Sequence, residues 1–145
     1  ISSALRDKRR LLSVVLGTAS DNARASESQK LLNWGFISYD AVTVFAKDQE
    51  IATLRIWKGA QRELKARLPY DLNVAVPKGY ADKVKSEFVA EPRLIAPIEI
   101  GQKLGTVKVS IDDKPYGEYP VLALEKIELG NIFIRLFDTI RLWFN

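Results

Sequence analysis

Two serines near a lysine come nearest to a covalent catalytic arrangement in this sequence. Ser26 and Ser28 precede Lys30 as Ser-x-x-x-Lys and Ser-x-Lys, and neither is the Ser-x-x-Lys spacing in which a helical lysine reaches a serine hydroxyl. The chain contains no His and no Cys, which excludes an imidazole base, a thiol nucleophile and a thiolate metal site. Asp112 and Asp113 lack the further oxygen ligands of a calcium loop. We therefore predict no nucleophile, no metal site and no cofactor in this chain.

One arginine is the candidate for binding an anionic substrate. Arg24 falls at the start of a predicted helix, where the helix macrodipole opposes a positive charge. One interpretation is a solvated side chain that is tolerated at small cost. The other is an anion site, in which Arg24 and the free amides of the helix start together receive a carboxylate.

Positive charge is otherwise mild and spread along the chain. The net charge is +4, and its densest cluster comprises Arg6, Lys8, Arg9 and Arg10 at a predicted hairpin turn. Such a cluster is usually a solvated tip. Nucleic-acid binding needs a concentrated basic face, so we expect no nucleic-acid partner. The aromatic side chain of Trp57 is predicted to lie in the core.

Residues 1–40 predict a β-hairpin followed by a helix over roughly Asp21–Tyr39. The second strand, Leu11–Leu16, is apolar on both faces and should therefore lie inside a sheet. A two-stranded hairpin is marginal alone, and one helix covers only one side of it. The sequence also begins with Ile1 and contains no Met. We expect a processed chain or fragment whose first segment belongs to a larger domain with pieces before Ile1.

Residues 41–129 are rich in strand patterns. Alternation of apolar and polar side chains is clearest over Leu104–Ile111, and Asp112–Lys114 forms a turn before the chain returns. Further alternating stretches end at Gly59 and Pro77. Short strands at this spacing predict a small antiparallel sandwich or barrel.

Residues 130–145 predict an amphipathic helix. It is too short to span a bilayer, but an apolar face rich in Phe and Trp opposite Arg suits a membrane interface. The alternative is a helix whose apolar face docks on the β domain. Position at the chain end and large aromatic side chains favour the membrane. The predicted membrane-binding residues are Ile132, Phe133, Leu136, Phe137, Ile140, Trp143 and Phe144.

The order of these segments resembles the C-terminal half of the D-alanyl-D-alanine carboxypeptidases, which are low-molecular-mass penicillin-binding proteins of serine peptidase type. The resemblance covers essentially the whole chain, and the order and spacing of its motifs carry it. The matching stretches are Arg10–Gly17, Glu27–Phe36, Arg55–Gly59, Val76–Gly79, Pro92–Ile98, Gly101–Val107 and Pro120–Leu124.

The resemblance implies an α+β fragment, the closing hairpin and helix of a penicillin-binding domain (residues 1–40). An all-β antiparallel, sandwich-like accessory domain (41–129) and an amphipathic membrane-anchor helix (130–145) would follow. The parent enzyme would remove the terminal D-Ala from peptidoglycan pentapeptides through a serine acyl-enzyme. The family's Ser-x-x-Lys and Lys-Thr-Gly elements are absent here, so this chain alone should catalyse nothing.

The resemblance also implies a location and partners. The protein would lie at the periplasmic face of the bacterial inner membrane, held by its C-terminal helix. Its partners would be the inner-membrane surface, an N-terminal catalytic fragment of the same protein and, through the parent enzyme, peptidoglycan peptides. Arg24 matches an arginine at the rim of the family's active site, which can receive the substrate's terminal carboxylate. Asp112–Lys114 replaces the family's more usual Gly-containing turn.

Two other functions remain open from the residues alone. One is a non-catalytic β-domain binding module that docks a partner or a membrane through its C-terminal helix. The other is an oligonucleotide-binding β-barrel, which would need exposed aromatic side chains on a basic sheet face.

Overall fold

The computed structural model describes residues 1–7 and 9–143, and the side chains of these residues except at positions 134 and 141–143. The described chain folds into two compact units. The hairpin–helix unit comprises Ile1–Val42 and Asn73–Asp82, and the β unit comprises Thr43–Leu72 and Lys83–Asn145.

The hairpin–helix unit begins with antiparallel strands β1 (Ser2–Arg6) and β2 (Arg9–Ser13). Helix α1 (Asp21–Ser38) follows, and the Ser20 hydroxyl caps it by accepting from the Ala23 amide at 3.1 Å. This confirms the predicted helix to within one residue at its end. Strand β3 (Tyr39–Phe45) leaves α1 directly and pairs with β6 (Leu72–Pro77).

The apolar segment after β2 differs from its prediction. In the part of the chain that the structure describes, β2 pairs with β1 and ends at Ser13. Leu12 is 70% exposed and Leu16 is 87% exposed. The segment is therefore not inside a sheet here, because β1 and α1 cover only part of it.

The β unit contains two three-stranded sheets. In the first, β4 (Glu50–Trp57) lies between antiparallel β5 (Glu63–Arg67) and the short parallel strand β8 (Leu94–Ile95). The second sheet is antiparallel throughout, with β9 (Lys103–Ile111) in its centre. The parallel β4–β8 pair is a correction to the expectation of purely antiparallel strands. The second sheet consists of β7 (Val84–Ala90), β9 (Lys103–Ile111) and β10 (Lys114–Leu122).

The core of the β unit follows from strand alternation. Successive side chains of a strand point to opposite faces, and the buried residues of β9 accordingly fall at every second position, Gly105, Val107 and Val109, with Leu104 buried out of this phase. Isolated bridges between Ile98 and Ile127 and between Gly59 and Leu129 tie the connecting segments to this core. The fully buried side chains of the β unit include Ile56, Leu68, Ile98, Leu104, Val107, Val109, Val121 and Ile127.

Helix α2 (Ile132–Trp143) ends the described chain. Within the described residues, no helix combines the length and the apolar character that crossing a bilayer requires.

Candidate functional site

The apolar face of α2 is exposed. Its five described large side chains are each between 54% and 78% accessible to solvent, which is unusual for Phe, Leu and Ile. The alternative in which this face packs on the β domain is therefore not what the described residues adopt. Trp143 and Phe144, also predicted for this face, lie outside the described side chains. The five described residues are Ile132, Phe133, Leu136, Phe137 and Ile140.

The opposite side of α2 is held by a carboxylate. Asp138 is half-buried, and its Oδ2 atom accepts a hydrogen bond from the Lys58 backbone amide at 2.6 Å. At 100° per residue, Asp138 lies about 180° from the centre of the apolar face. A hydrogen bond at Asp138 consequently directs the apolar residues away from β4.

The peptide groups of Lys58 make a second connection to the same segment. The Lys58 carbonyl accepts from the Gly130 amide at 2.8 Å, and the Ala60 amide donates to the Glu128 carbonyl at 2.9 Å. Lys58 has a φ of 59°, a left-handed conformation that non-glycine residues adopt only where surrounding contacts hold it. The start of α2 and its middle are thus both fixed to the end of β4.

Neither Asp138 nor Lys58 was predicted as a functional residue. The only sign in the sequence was a single acidic side chain, Asp138, opposite the centre of the apolar face. An acidic residue is equally expected there if that side of the helix simply faces solvent. The partner of that carboxylate is a backbone amide 80 residues away, and a backbone amide carries no signature in sequence.

Trp57 precedes this junction and is only half-buried, so its prediction as a core residue was wrong. The Arg55 guanidinium lies 3.9 Å from the centre of the Trp57 ring, within the range of a cation–π interaction. The guanidinium of a neighbour on the same strand therefore covers one face of the ring.

Arg24 lies in the first turn of α1, where the sequence placed it. Its side chain is 52% exposed, and its Nη1 atom is 3.2 Å from Asp21 Oδ1. The neighbouring carboxylate offsets the unfavourable interaction of Arg24 with the helix dipole. The structure keeps the guanidinium accessible, and its role in substrate binding stays a prediction.

Two of the four residues in the basic cluster at the β1–β2 turn, Arg6 and Arg9, contact α1, which corrects the interpretation of a purely solvated tip. Arg10 is exposed, and Lys8 lies outside the described residues. The Arg9 side chain donates to the Phe36 carbonyl at 2.8 Å and to the Tyr39 carbonyl. Arg6 donates to Asn33 Oδ1 at 2.6 Å and lies 4.6 Å from the centre of the Phe36 ring. Because α1 has no basic residue in its last turn, these arginines supply positive charge to its C-terminal end.

An open groove of about 600 Å³ lies on the β7–β9–β10 sheet. Its lysines are paired with carboxylates: Lys85 Nζ is 2.6 Å from Asp113 Oδ1, and Lys108 Nζ is 3.8 Å from Glu118 Oε1. The hydrogen bond from Lys85 holds the pKa of Asp113 below its ordinary value. These contacts stabilise the sheet and give the groove no concentrated charge of either sign.

The turn beside this groove settles the hairpin type. Asp112 and Asp113 join β9 to β10 with φ values of 53° and 59°. Positive φ at both central residues of a two-residue loop defines a type I′ turn. Asp tolerates this conformation better than most non-glycine residues, so the turn forms without glycine.

Comparison with known proteins gives a consistent match. The family model for the C-terminal domain of penicillin-binding protein 5 matches residues 39–129. D-alanyl-D-alanine carboxypeptidase DacC of Escherichia coli K12 is 34% identical over 146 residues, and DacA of the same strain is 30% identical over 146 residues. Both alignments cover 100% of this chain and 36% of the relative.

Solved structures are also similar. Penicillin-binding protein 5 from Haemophilus influenzae matches with a TM-score of 0.75 and 29% identity, covering 87% of this chain and 37% of that one. The D-alanyl-D-alanine carboxypeptidase DacD from Francisella tularensis matches with a TM-score of 0.55 and 31% identity, covering 88% and 32%. The chain therefore spans about a third of the length of the relatives it matches.

Proposed function

Because this chain belongs to the penicillin-binding protein 5 C-terminal domain family, we propose that it forms the C-terminal part of a periplasmic D-alanyl-D-alanine carboxypeptidase. The whole enzyme removes the terminal D-Ala from peptidoglycan pentapeptides through a serine acyl-enzyme. This chain holds the enzyme at the inner membrane through α2, and its β domain sets the distance between membrane and active site. The domain limits in this proposal are residues 1–40, 41–129 and 130–145.

One observation carries the membrane attachment: α2 keeps its apolar face exposed while Asp138 holds the opposite side. Burying a large apolar side chain gives about 1.5–3 kcal/mol. Five such side chains, two of them Phe, provide enough for reversible binding to a membrane interface after the cost of immobilisation is subtracted. The helix lies in the interface plane rather than crossing it.

The surface of the hairpin–helix unit supports the proposal that it binds a partner carrying the catalytic serine. Its exposed apolar side chains occur along the hairpin, the following segment and α1, and exposed apolar surface of this extent marks an interaction site. We propose the N-terminal catalytic part of the same protein as the partner that covers it. The exposed residues include Ile1, Leu5, Leu12, Val14, Leu16, Trp34 and Ile37.

Membrane binding is tested by co-sedimentation with lipid vesicles. We expect Phe133→Ser combined with Phe137→Ser to weaken binding at least tenfold, since the two aromatic rings that would be buried in the membrane interface are removed. Tyr116→Ser is the matched control, because Tyr116 is 46% exposed elsewhere on the β unit. Equal binding by all three proteins would refute the anchor and favour the alternative, a β-domain module that docks a protein partner through α2.

The role of Arg24 is tested in the whole enzyme. We propose that Arg24 binds the substrate's terminal carboxylate, so Arg24→Gln should raise KM for a peptide ending in D-Ala-D-Ala by about tenfold or more. Lys30→Gln is the matched control, since Lys30 pairs with Glu27 three residues earlier on the same helix. An unchanged KM would leave Arg24 as a surface ion-pair residue.

A further inference from the structure

A shallow pocket lies where α2 meets the end of β4. It has a volume of about 320 Å³ and is lined by two cationic side chains, one hydroxyl and two apolar side chains. The cations are Lys58 and Arg135. The other lining residues are Ile132, Leu136 and Thr139.

The pocket lies on the border between the two faces of α2. At 100° per residue, Arg135 and Thr139 fall between Asp138 and the apolar residues Ile132 and Leu136. A helix in a membrane interface places its apolar face among acyl chains and the border of that face at the level of the headgroups. The cations of this pocket consequently lie at the depth of lipid phosphates.

The contacts of α2 determine that the two cations meet. Lys58 is 77 positions before Arg135 in sequence, and they line one pocket because Asp138 and Gly130 both bind the Lys58 backbone. Thr139 donates its hydroxyl hydrogen to the Arg135 carbonyl at 2.7 Å, which leaves its oxygen lone pairs able to accept. Asp138 does not line the pocket.

We propose that the pocket between Lys58 and Arg135 binds the phosphate of an anionic phospholipid headgroup, and that Asp138 is the positioning residue that assembles it. A lysine and an arginine converge on the phosphate, and Ile132 and Leu136 contact the adjoining acyl region. This inference rests on the proposed attachment of α2 to the membrane and specifies its lipid. The lipid rather than free phosphate is the ligand, because the pocket is continuous with the exposed apolar face.

The experiment compares two vesicle compositions, phosphatidylcholine alone and phosphatidylcholine mixed with phosphatidylglycerol. We expect Lys58→Gln and Arg135→Gln each to weaken binding to the mixed vesicles about fivefold, with little change on phosphatidylcholine alone. Lys108→Gln removes the same charge from the distant β7–β9–β10 sheet and should change neither affinity. Asp138→Ala should reduce the preference for phosphatidylglycerol although it removes a negative charge.

Each outcome separates the two proposals. Equal binding of the parent chain to both vesicle types would overturn the headgroup site and leave the anchor intact. Failure to bind either vesicle type would refute the anchor itself. Equal loss in Lys108→Gln and Lys58→Gln would mean that total charge, not this pocket, attracts the lipid. Displacement from mixed vesicles by inorganic phosphate, at constant ionic strength, would mean a site for the free anion instead.

Discussion

The Oδ2 atom of Asp138 lies 2.6 Å from the backbone nitrogen of Lys58, and this contact sets the rotation of helix α2. A carboxylate that accepts from a backbone amide forms a charge-assisted hydrogen bond. Since the donor is a backbone group, a substitution at Lys58 that preserves the local conformation retains the contact. The contact can therefore be removed from the Asp138 side without altering the lysine side chain.

We expect Asp138→Ala to expose the Lys58 amide to solvent. Loss of a charge-assisted hydrogen bond should speed exchange of this amide hydrogen by about tenfold or more. Amide hydrogen exchange followed by NMR in the absence of lipid measures the effect directly.

Asp138→Asn serves as the control for this change, because the amide oxygen of Asn can still accept from Lys58. It should retain most of the protection. Unchanged exchange in Asp138→Ala would mean that other contacts hold α2 against β4.

Arg9→Gln should lower the free energy of unfolding by about 1 kcal/mol. The substitution leaves the Phe36 carbonyl at the end of α1 without its guanidinium partner, and urea denaturation measures the loss. Arg10→Gln removes the same charge from the adjacent residue, whose contact with Ser3 Oγ is 3.5 Å long. A loss as large in Arg10→Gln would show that charge, rather than the contact with α1, is responsible.

Gly105→Ala should destabilise the β unit by about 1–3 kcal/mol. A Cβ atom at Gly105 would lie 2.6 Å from both the Phe88 Cζ atom and the Val89 carbonyl oxygen, and the backbone oxygen is fixed by strand pairing. At Gly117 the nearest atoms belong to the Tyr119 side chain, at 3.1 Å and beyond. Thermal unfolding should therefore rank Gly117→Ala as the milder change, and the reverse order would contradict this packing.

Asp113→Asn should make stability less dependent on acid pH. The hydrogen bond from Lys85 lowers the pKa of Asp113. The ion pair therefore contributes its full stability above the unfolded-state pKa of Asp, which is about 4. That stability is lost as the pH falls through the lower folded-state pKa. The pKa of Lys85 is raised by the same pair, so the contribution is also lost as pH rises through that folded-state value. Asn preserves the left-handed turn but forms no ion pair.

Thermal midpoints measured from acid to neutral pH check this prediction. The parent protein should lose more stability on acidification than Asp113→Asn. Asp82→Asn removes an exposed carboxylate just before β7, keeps the Asp113–Lys85 pair and should follow the parent. Parallel curves for all three proteins would rule out a contribution from this pair.

Local patterns in the sequence predicted the helices and the clearest alternating strands, but not β3, β5 or β8. Alternation located β9, the capping signal located α1, and the 3.6-residue period located the apolar face of α2, because each pattern reflects which side of one element faces the interior. The family resemblance rested on the order of these same patterns, and the family match confirmed it.

The environments of individual side chains were less predictable. Trp57 was assigned to the core from its residue type, but Arg55 covers its ring on the surface of β4. Arg6 and Arg9 were assigned to a solvated tip from their charge, but they bind the end of α1. The type of a residue limits the environments that its side chain can occupy, but it does not determine which of them the side chain occupies in the folded protein.

By itself, the sequence determined the helices and the clearest strands, which face of α2 is apolar, and that no Ser-x-x-Lys motif lies in this chain. Only the tertiary structure decided that the apolar face of α2 stays exposed and that Lys58 and Arg135 line one pocket. The physical reason is that periodicity is a property of neighbouring residues, whereas these arrangements depend on a backbone amide meeting a carboxylate 80 residues later. Such a meeting is fixed by the path of the folded chain.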